Sequence, residues 1–241
     1  MNQTIELMKK HASVRKFDLD YVIPEEEMQA IFDATRQAST WKNGQFYSII
    51  RVKDQEVRQG IYECAPEFMR YIKNCNELVV FVGDFHRTHL ASQMHDKEYL
   101  ASGIEPLLIA SVDASLAAQN FVLAAESLGY GAVIAGLIRD DIQKAAKVLN
   151  LPERTVPLFV VAMGKPAQKA LVKPRLPQEL VIHTDTYQEP TIEGLQEFDR
   201  MDAEFAGPRH TQTWTERMAE EYAKPQPKDS ENLMKENGFL D

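Results

Sequence analysis

His11, Ser13 and Arg15 stand at alternate positions of His11-Ala12-Ser13-Val14-Arg15-Lys16-Phe17. In an extended chain alternate side chains leave the backbone on one face, so an imidazole, a hydroxyl and a guanidinium would form a single comb. Lys173-Pro174-Arg175-Leu176-Pro177 repeats the device, its prolines favouring an extended backbone with two cations two residues apart. Arginine forks and lysine point charges are the usual protein grip on phosphate, and the two combs read as halves of a clamp around one anion. The first comb would equally suit a solvated basic turn with Ser13 as a helix cap. Motifs this far apart in sequence meet only if the fold brings them together.

Other chemistry-bearing patterns are weaker. His86 and His89 would share a helix face, with His95 and Asp96 following. No HExxH and no carboxylate triad accompany them, and Arg87 falls among the would-be ligands. A polar surface excursion is therefore the favoured reading, and no metal is assigned. Gly129-Tyr130-Gly131 is not GxGxxG after a strand and lacks the acidic residue of a dinucleotide site. It reads instead as the end of a helix. Gly136, at a strand end, would let a flat ligand approach the backbone. Nothing resembles a nucleophile elbow or a Cys–His signature, so covalent catalysis has no support. Trp41 and Trp214 read as packing residues.

The elements that must position these residues follow from periodicity and punctuation. A short helix over 4–10 leads into the first comb. Pro24-Glu25-Glu26-Glu27 opens a second helix, with acids at its positive end, that runs to about Ala38. Strands are expected over 46–52, 77–83, 131–136 and 156–163, with two short helices separated near Pro66. The spacing predicts a long helix from Ile104 to Leu128, closed by Gly129, and another helix over 139–150. The long helix is so apolar that sheet, other helices or a partner chain must cover it. Beyond Pro177 the chain turns polar and amphipathic, with a break around Pro225 and Pro227. Helices outnumber strands without regular alternation, which points to α+β. The expectation is one domain over 1–241, with 178–241 an extension wrapping the core or a partner subunit.

Composition sets outer limits. The 241 residues are 44% apolar and 26% charged, as in ordinary globular proteins, with net charge −9. An acidic balance argues against nucleic-acid binding and makes two basic combs stand out. Two cysteines, Cys64 and Cys75, fit reduced thiols in a cytoplasmic protein. No apolar run approaches the roughly 20 residues that a membrane span needs, and no secretory h-region opens the chain.

Taken in order, several segments resemble the nitroreductase family, in its branch of NADPH-dependent flavin reductases and oxygen-insensitive nitroreductases. The likeness rests on Thr4-Ile5-Glu6-Leu7, the first comb, Asp113–Gly129, Leu149-Asn150-Leu151-Pro152, the second comb, Thr213-Trp214 and Lys235-Glu236-Asn237-Gly238-Phe239. It implies an intertwined α+β homodimer, with a mainly antiparallel central sheet flanked by helices and FMN at the subunit interface. The resemblance would place His11, Ser13, Arg15, Lys173 and Arg175 on the FMN phosphate and ribityl chain, and Ile134, Ala135 and Gly136 along its ring. Ser39, Thr40, Trp41, Lys42 and Gln45 would come from the other subunit. The long helix would form the dimer seam. NADPH or NADH would donate hydride through the flavin to nitroaromatics, quinones or free flavin by a ping-pong mechanism. The cofactor carries that chemistry and the protein orients it.

The chain departs from the family pattern in several places. Ala12 stands where relatives usually have arginine, Leu137 where a second glycine is expected, and Trp41-Lys42 within a segment often made of small serines. Where part of the branch reads the NADPH 2′-phosphate with arginines, the resemblance places Phe205 and His210 with Arg209 adjacent, so Arg209 and His210 would be the contacts. Which of Arg15, Lys173 and Lys42 would face the pyrimidine edge of the ring stays open. So does the alternative of a non-catalytic flavin-binding or redox-sensing dimer.

Overall fold

A computed structural model of the chain describes residues 2–225 and 229–240, so Pro227 of the expected break lies outside the described residues. In chain order the helices and strands are α1 (Gln3–Lys9), α2 (Glu25–Arg36), β1 (Tyr47–Arg51), α3 (Gln55–Tyr62), α4 (Arg70–Lys73), β2 (Glu77–Asp84), α5 (His86–Met94), α6 (Ile104–Ser127), β3 (Gly131–Ala135), α7 (Ile142–Val148), β4 (Thr155–Gly164), α8 (Ile192–Ala206), α9 (Trp214–Tyr222) and α10 (Asp229–Glu236). They divide into two compact units: residues 1–170 with 228–241, and residues 171–227. The first unit thus includes the end of the chain.

The four strands form one antiparallel sheet in the order β1-β2-β4-β3. Strand periodicity explains its two faces. On β2, Val79 and Phe81 enter one core cluster with α2 and α6, while Leu78, Val80 and Val82 enter a second with α3, α4 and α7. Pro157, which has no N–H for a ladder, sits where the β2–β4 register shifts between Phe81 and Val82.

Helix α6 lies close to the sheet because its inward residues are small. Ala110, Ala114, Ala117, Ala118 and Ala125 are buried, and a Cβ on Gly83 would already stand 3.0 Å from that of Ala110. Phe121 anchors the contact edge-on to Phe81, at 6.0 Å between ring centroids. Complete burial of such a ring contributes about 1.5–3 kcal/mol. By length and composition α6 is apolar enough to cross a membrane, contrary to the sequence expectation of no such run. Here its buried face packs on the sheet, with the carboxylate of Asp113 buried midway along it.

The expected helix over 139–150 is split. A 3₁₀ turn covers Gly136–Asp141, and α7 starts afresh where the Asp141 side chain accepts a hydrogen bond from Lys144 N at 3.1 Å. The stretch after strand β2 is helix α5, with none of its residues buried, so His86 and His89 lie one turn apart on a surface helix.

The first comb is docked as extended chain. Val14 N donates to Ala132 O at 2.9 Å, and Asp18 N and Ala167 N exchange bonds with Lys165 O and Lys16 O at 2.8 and 3.0 Å. Val14 and Phe17 are buried while Ser13 and Arg15 remain exposed. Gly131 makes the docking possible, because any Cβ there would collide with the Val14 side chain.

In the second unit a capping box, Thr213 with Glu216, starts α9. Asp199 of α8 accepts from Thr215, and Phe198 packs edge-on to Trp214. Among its described residues only Phe198 is buried, while Val181, Ile182, Tyr187 and Ile192 are exposed.

Replacing Gly131 with Ala should force Val14 off β3. Overpacking of this kind costs about 1–3 kcal/mol, which urea unfolding will read directly. A variant as stable as its parent would mean that Val14 is not held there.

Candidate functional site

The first comb gains its order from α6. His11 Nδ1 lies 2.6 Å from Glu126 Oε1, whose side chain is 10% exposed. That bond fixes the imidazole and leaves Nε2 without a partner among the described residues. Arg15 forms no ion pair there either; its guanidinium lies 5.8 Å from the centre of the Tyr71 ring. Burial raises the pKa of the Tyr71 hydroxyl, while the Arg15 charge beside it pulls the other way. The comb therefore presents a held imidazole, a hydroxyl and an unneutralised guanidinium, the groups a phosphate monoester needs.

Strand β3 runs beside this segment. Ala132, Val133 and Ala135 are buried, but Ile134 is 44% exposed, an apolar side chain left bare within a sheet. Beside Gly136, the glycine the sequence suggested for close approach by a flat ligand, stands Arg139. Its guanidinium occupies the glycine's vacant side, 2.8 Å from where a Cβ would stand, and donates to Leu158 O. Leu137 packs against the second core cluster, and Ala12 is half-buried.

The segment from Ser39 to Gln45 is a strained loop. Lys42, Asn43 and Gln45 have φ of 49°, 57° and 53°, the left-handed region that side chains disfavour. Two charged side chains enforce this shape. The buried Asp113 carboxylate accepts from Trp41 N at 2.9 Å and from Phe46 N at 3.1 Å, closing both ends of the loop. Arg87 donates to Gln45 O at 2.6 Å and Tyr47 O at 2.7 Å, while its other nitrogen holds Ser48 Oγ and Asp84 Oδ2. Within the loop, Gln45 N donates to Thr40 Oγ1, and Lys42 Nζ lies 5.8 Å from the Trp41 ring.

Ser39, Thr40 and Trp41 face α6 across a groove of about 400 Å³, lined also by Leu108, Val112 and Leu116. Ile104, Leu108, Val112 and Leu116 recur every four residues along α6 and are 65, 51, 56 and 45% exposed. The stripe is apolar and bare. The groove lining includes none of His11, Ser13, Arg15 or Ile134–Gly136.

Lys173, Arg175, Arg209 and His210 belong to the second unit. Lys173 and Arg175 are exposed, and Arg175 Nη1 donates to the backbone carbonyls of Lys173 and Pro174. Arg209 lies 5.9 Å from the Phe205 ring centre and donates to Ala206 O, while His210 N donates to Gly207 O.

Comparison with known proteins decides the family. Residues 8–165 match the nitroreductase family, and residues 173–241 match the nitroreductase family C-terminal domain. The chain belongs to the nitroreductase family. It is 36% identical over 225 residues to an NADPH-dependent oxidoreductase of Staphylococcus haemolyticus, covering 89% of this chain and 88% of that one. It is 32% identical to an FMN reductase [NAD(P)H] of Bacillus subtilis, covering 99% and 98%. The structure of an NADPH:FMN oxidoreductase from Vibrio harveyi complexed with NAD+ superposes with a TM-score of 0.90 at 32% identity, covering 98% of both chains.

Within this nitroreductase-family chain, sequence reasoning missed the residues that hold the candidates in place. Asp113 and Glu126 lay inside the segments that carried the resemblance, yet as isolated acids on an apolar helix they gave no sign of their partners. Arg87 was set aside as an intruder among histidines. Replacing Asp113 with Ala leaves two backbone N–H groups unsatisfied, at about 1–3 kcal/mol each if they stay dry. The variant should unfold at lower urea, and limited proteolysis should cut it within residues 39–46. Unchanged resistance to protease would show that the loop keeps its shape without the clamp.

Proposed function

We propose that this chain passes electrons from NAD(P)H to small-molecule acceptors such as nitroaromatics, quinones or free flavin, through FMN held partly by the first comb. It is an FMN-dependent NAD(P)H oxidoreductase of the nitroreductase family. The observation that carries the site assignment is the comb: an exposed Arg15 with no ion pair, beside a His11 fixed by Glu126, on a segment docked to the strand that bears the bare Ile134. These groups fit a phosphorylated, flat, partly apolar cofactor.

When bound, FMN would supply the hydride chemistry between NAD(P)H and the acceptor, with donor and acceptor using one pocket in turn by a ping-pong scheme. The protein's part is to bind and orient. Arg15 and Ser13 hold phosphate, with His11 Nε2 directed by the Nδ1 bond to Glu126. Ile134 and Ala135 offer apolar surface to the ring. Gly136 contributes backbone only, since Arg139 fills its open side. Lys173 and Arg175 are the further phosphate cations, by residue type, spacing and family resemblance, and Arg209 and His210 the contacts for a 2′-phosphate, by family resemblance alone.

The working protein is a soluble, cytoplasmic homodimer. Residues 39–45 have no place in the comb's own surroundings, and the bare stripe on α6 needs cover. A second copy meets both needs, bringing Ser39, Thr40, Trp41, Lys42 and Gln45 to its partner's flavin. The whole chain works as one nitroreductase-like domain whose C-terminal extension, 178–241, wraps the core or the partner.

The purified protein should be yellow, with one FMN per chain, and either NADPH or NADH should bleach it without oxygen. Yellow protein that neither donor bleaches would instead be a non-catalytic flavin-binding dimer, and colourless protein that takes up no FMN would overturn the reading. Arg15→Ala should raise the FMN dissociation constant about 10- to 100-fold, the loss of one or two charge-assisted bonds. Fluorescence of released flavin on dilution measures it. Retention at the parent affinity would remove Arg15 from the phosphate site.

A further inference from the structure

We infer that His86, His89 and Glu153 form a site for one divalent transition-metal ion of the Zn2+, Ni2+ or Cu2+ class. One donor atom from each residue lies within 4.8 Å of the other two. Two imidazoles and a carboxylate are a borderline donor set that suits these ions and leaves a fourth position for water.

Against a metal, the sequence offered the lack of a third ligand and the intrusion of Arg87. The fold removes both objections. Arg87 leaves α5 toward Asp84, Ser48 and the carbonyls of Gln45 and Tyr47, so its charge is spent elsewhere. The third ligand comes from the turn before β4. Phe85 N donates to Arg154 O at 2.9 Å, tying the residue before His86 to the residue after Glu153. Exposed His95, at the far end of α5, is not among the three.

Local bonding points the same way. Nδ1 of His86 and Nδ1 of His89 are both buried and lack hydrogen-bond partners among the described residues. Glu153 Oε1 lies 3.1 Å from His89 Nδ1, an ion-pair distance without the alignment of a hydrogen bond. Buried ring nitrogens are ordinarily satisfied, and two left bare next to a carboxylate are what metal ligands look like before the ion enters. The second ring nitrogen of His89 is 3.4 Å from the Gln93 carboxamide, in place to orient the ring. The Tyr99 ring packs 5.1 Å from that of His89 and is itself held by Thr88 Oγ1 at 3.1 Å.

Arg154, the residue after Glu153, has its guanidinium 4.4 Å from the Tyr99 ring centre and donates to Gly238 O. Donors around one ion with bonds of about 2.1 Å stand no more than about 4.2 Å apart. Closing the site therefore takes only a small side-chain adjustment, which the 57% exposed Glu153 can supply.

The test uses untagged, flavin-loaded protein, stripped with chelator and titrated with zinc chloride by calorimetry. One zinc per chain should bind, and the melting temperature should rise with zinc, since binding to the folded state alone stabilises it. His86→Ala and His89→Ala should each weaken zinc by more than about 100-fold, beyond the roughly 10- to 100-fold cost of a lost supporting contact. Glu153→Gln should weaken it as well. Flavin content and NADPH bleaching should stay at parent levels in all three variants. Absence of saturable zinc binding would overturn the site, as would parent affinity retained in both histidine variants.

Discussion

The structure depends on how α6 lies on the sheet. Its alanines bring the helix axis close enough for two acids on it, Asp113 and Glu126, to reach segments far away in sequence. Asp113 closes the loop from Trp41 to Phe46, and Glu126 holds the ring of His11. Larger residues at the alanine positions would lift the helix and move both carboxylates together. One packing contact thus sets the positions of two site segments that share no contact of their own in the groove.

The loop shows which force wins locally. Three non-glycine residues in the left-handed region cost about 1–2 kcal/mol each. Against this stand two bonds to Asp113 and two from Arg87, and hydrogen bonds to charged groups contribute about 1.5–3 kcal/mol apiece. The clamps exceed the strain, so the loop is held from outside rather than by its own preferences. Strain held in this way is common where a backbone must present side chains in a fixed array. It also accounts for the placement of Arg87, whose fork meets two carbonyls, a hydroxyl and a carboxylate at once.

Most elements were legible because their signals are local. Pro24 and the three following glutamates mark the start of α2, Gly129 the end of α6, and the valine-rich run the central strand β2. The α+β class followed from the same signals, while the antiparallel sheet came with the family resemblance, read from motifs in order along the chain. What could not be read was pairing across distance. Glu153 lies 64 residues beyond His89, and nothing near it in sequence marks it as a partner. Nor did the sequence show that Arg139, three residues on, fills the side-chain space beside Gly136.

Two surfaces in this chain remain poorly satisfied by their own units. Along α6, four large apolar side chains at four-residue spacing stay about half exposed, and the unit over 171–227 buries just Phe198 among its described residues. Burying apolar surface contributes about 25 cal/mol per Å², so leaving such areas in water forgoes stability that a marginal fold can ill spare. The proposed dimer answers the first deficit with the same contact that would deliver residues 39–45 to the partner's flavin. Folding, association and cofactor binding then become linked equilibria, because a ligand held by both subunits stabilises only the associated state. The proposed phosphate cations Arg15, Lys173 and Arg175 are all exposed, where water and salt screen their charges from one another.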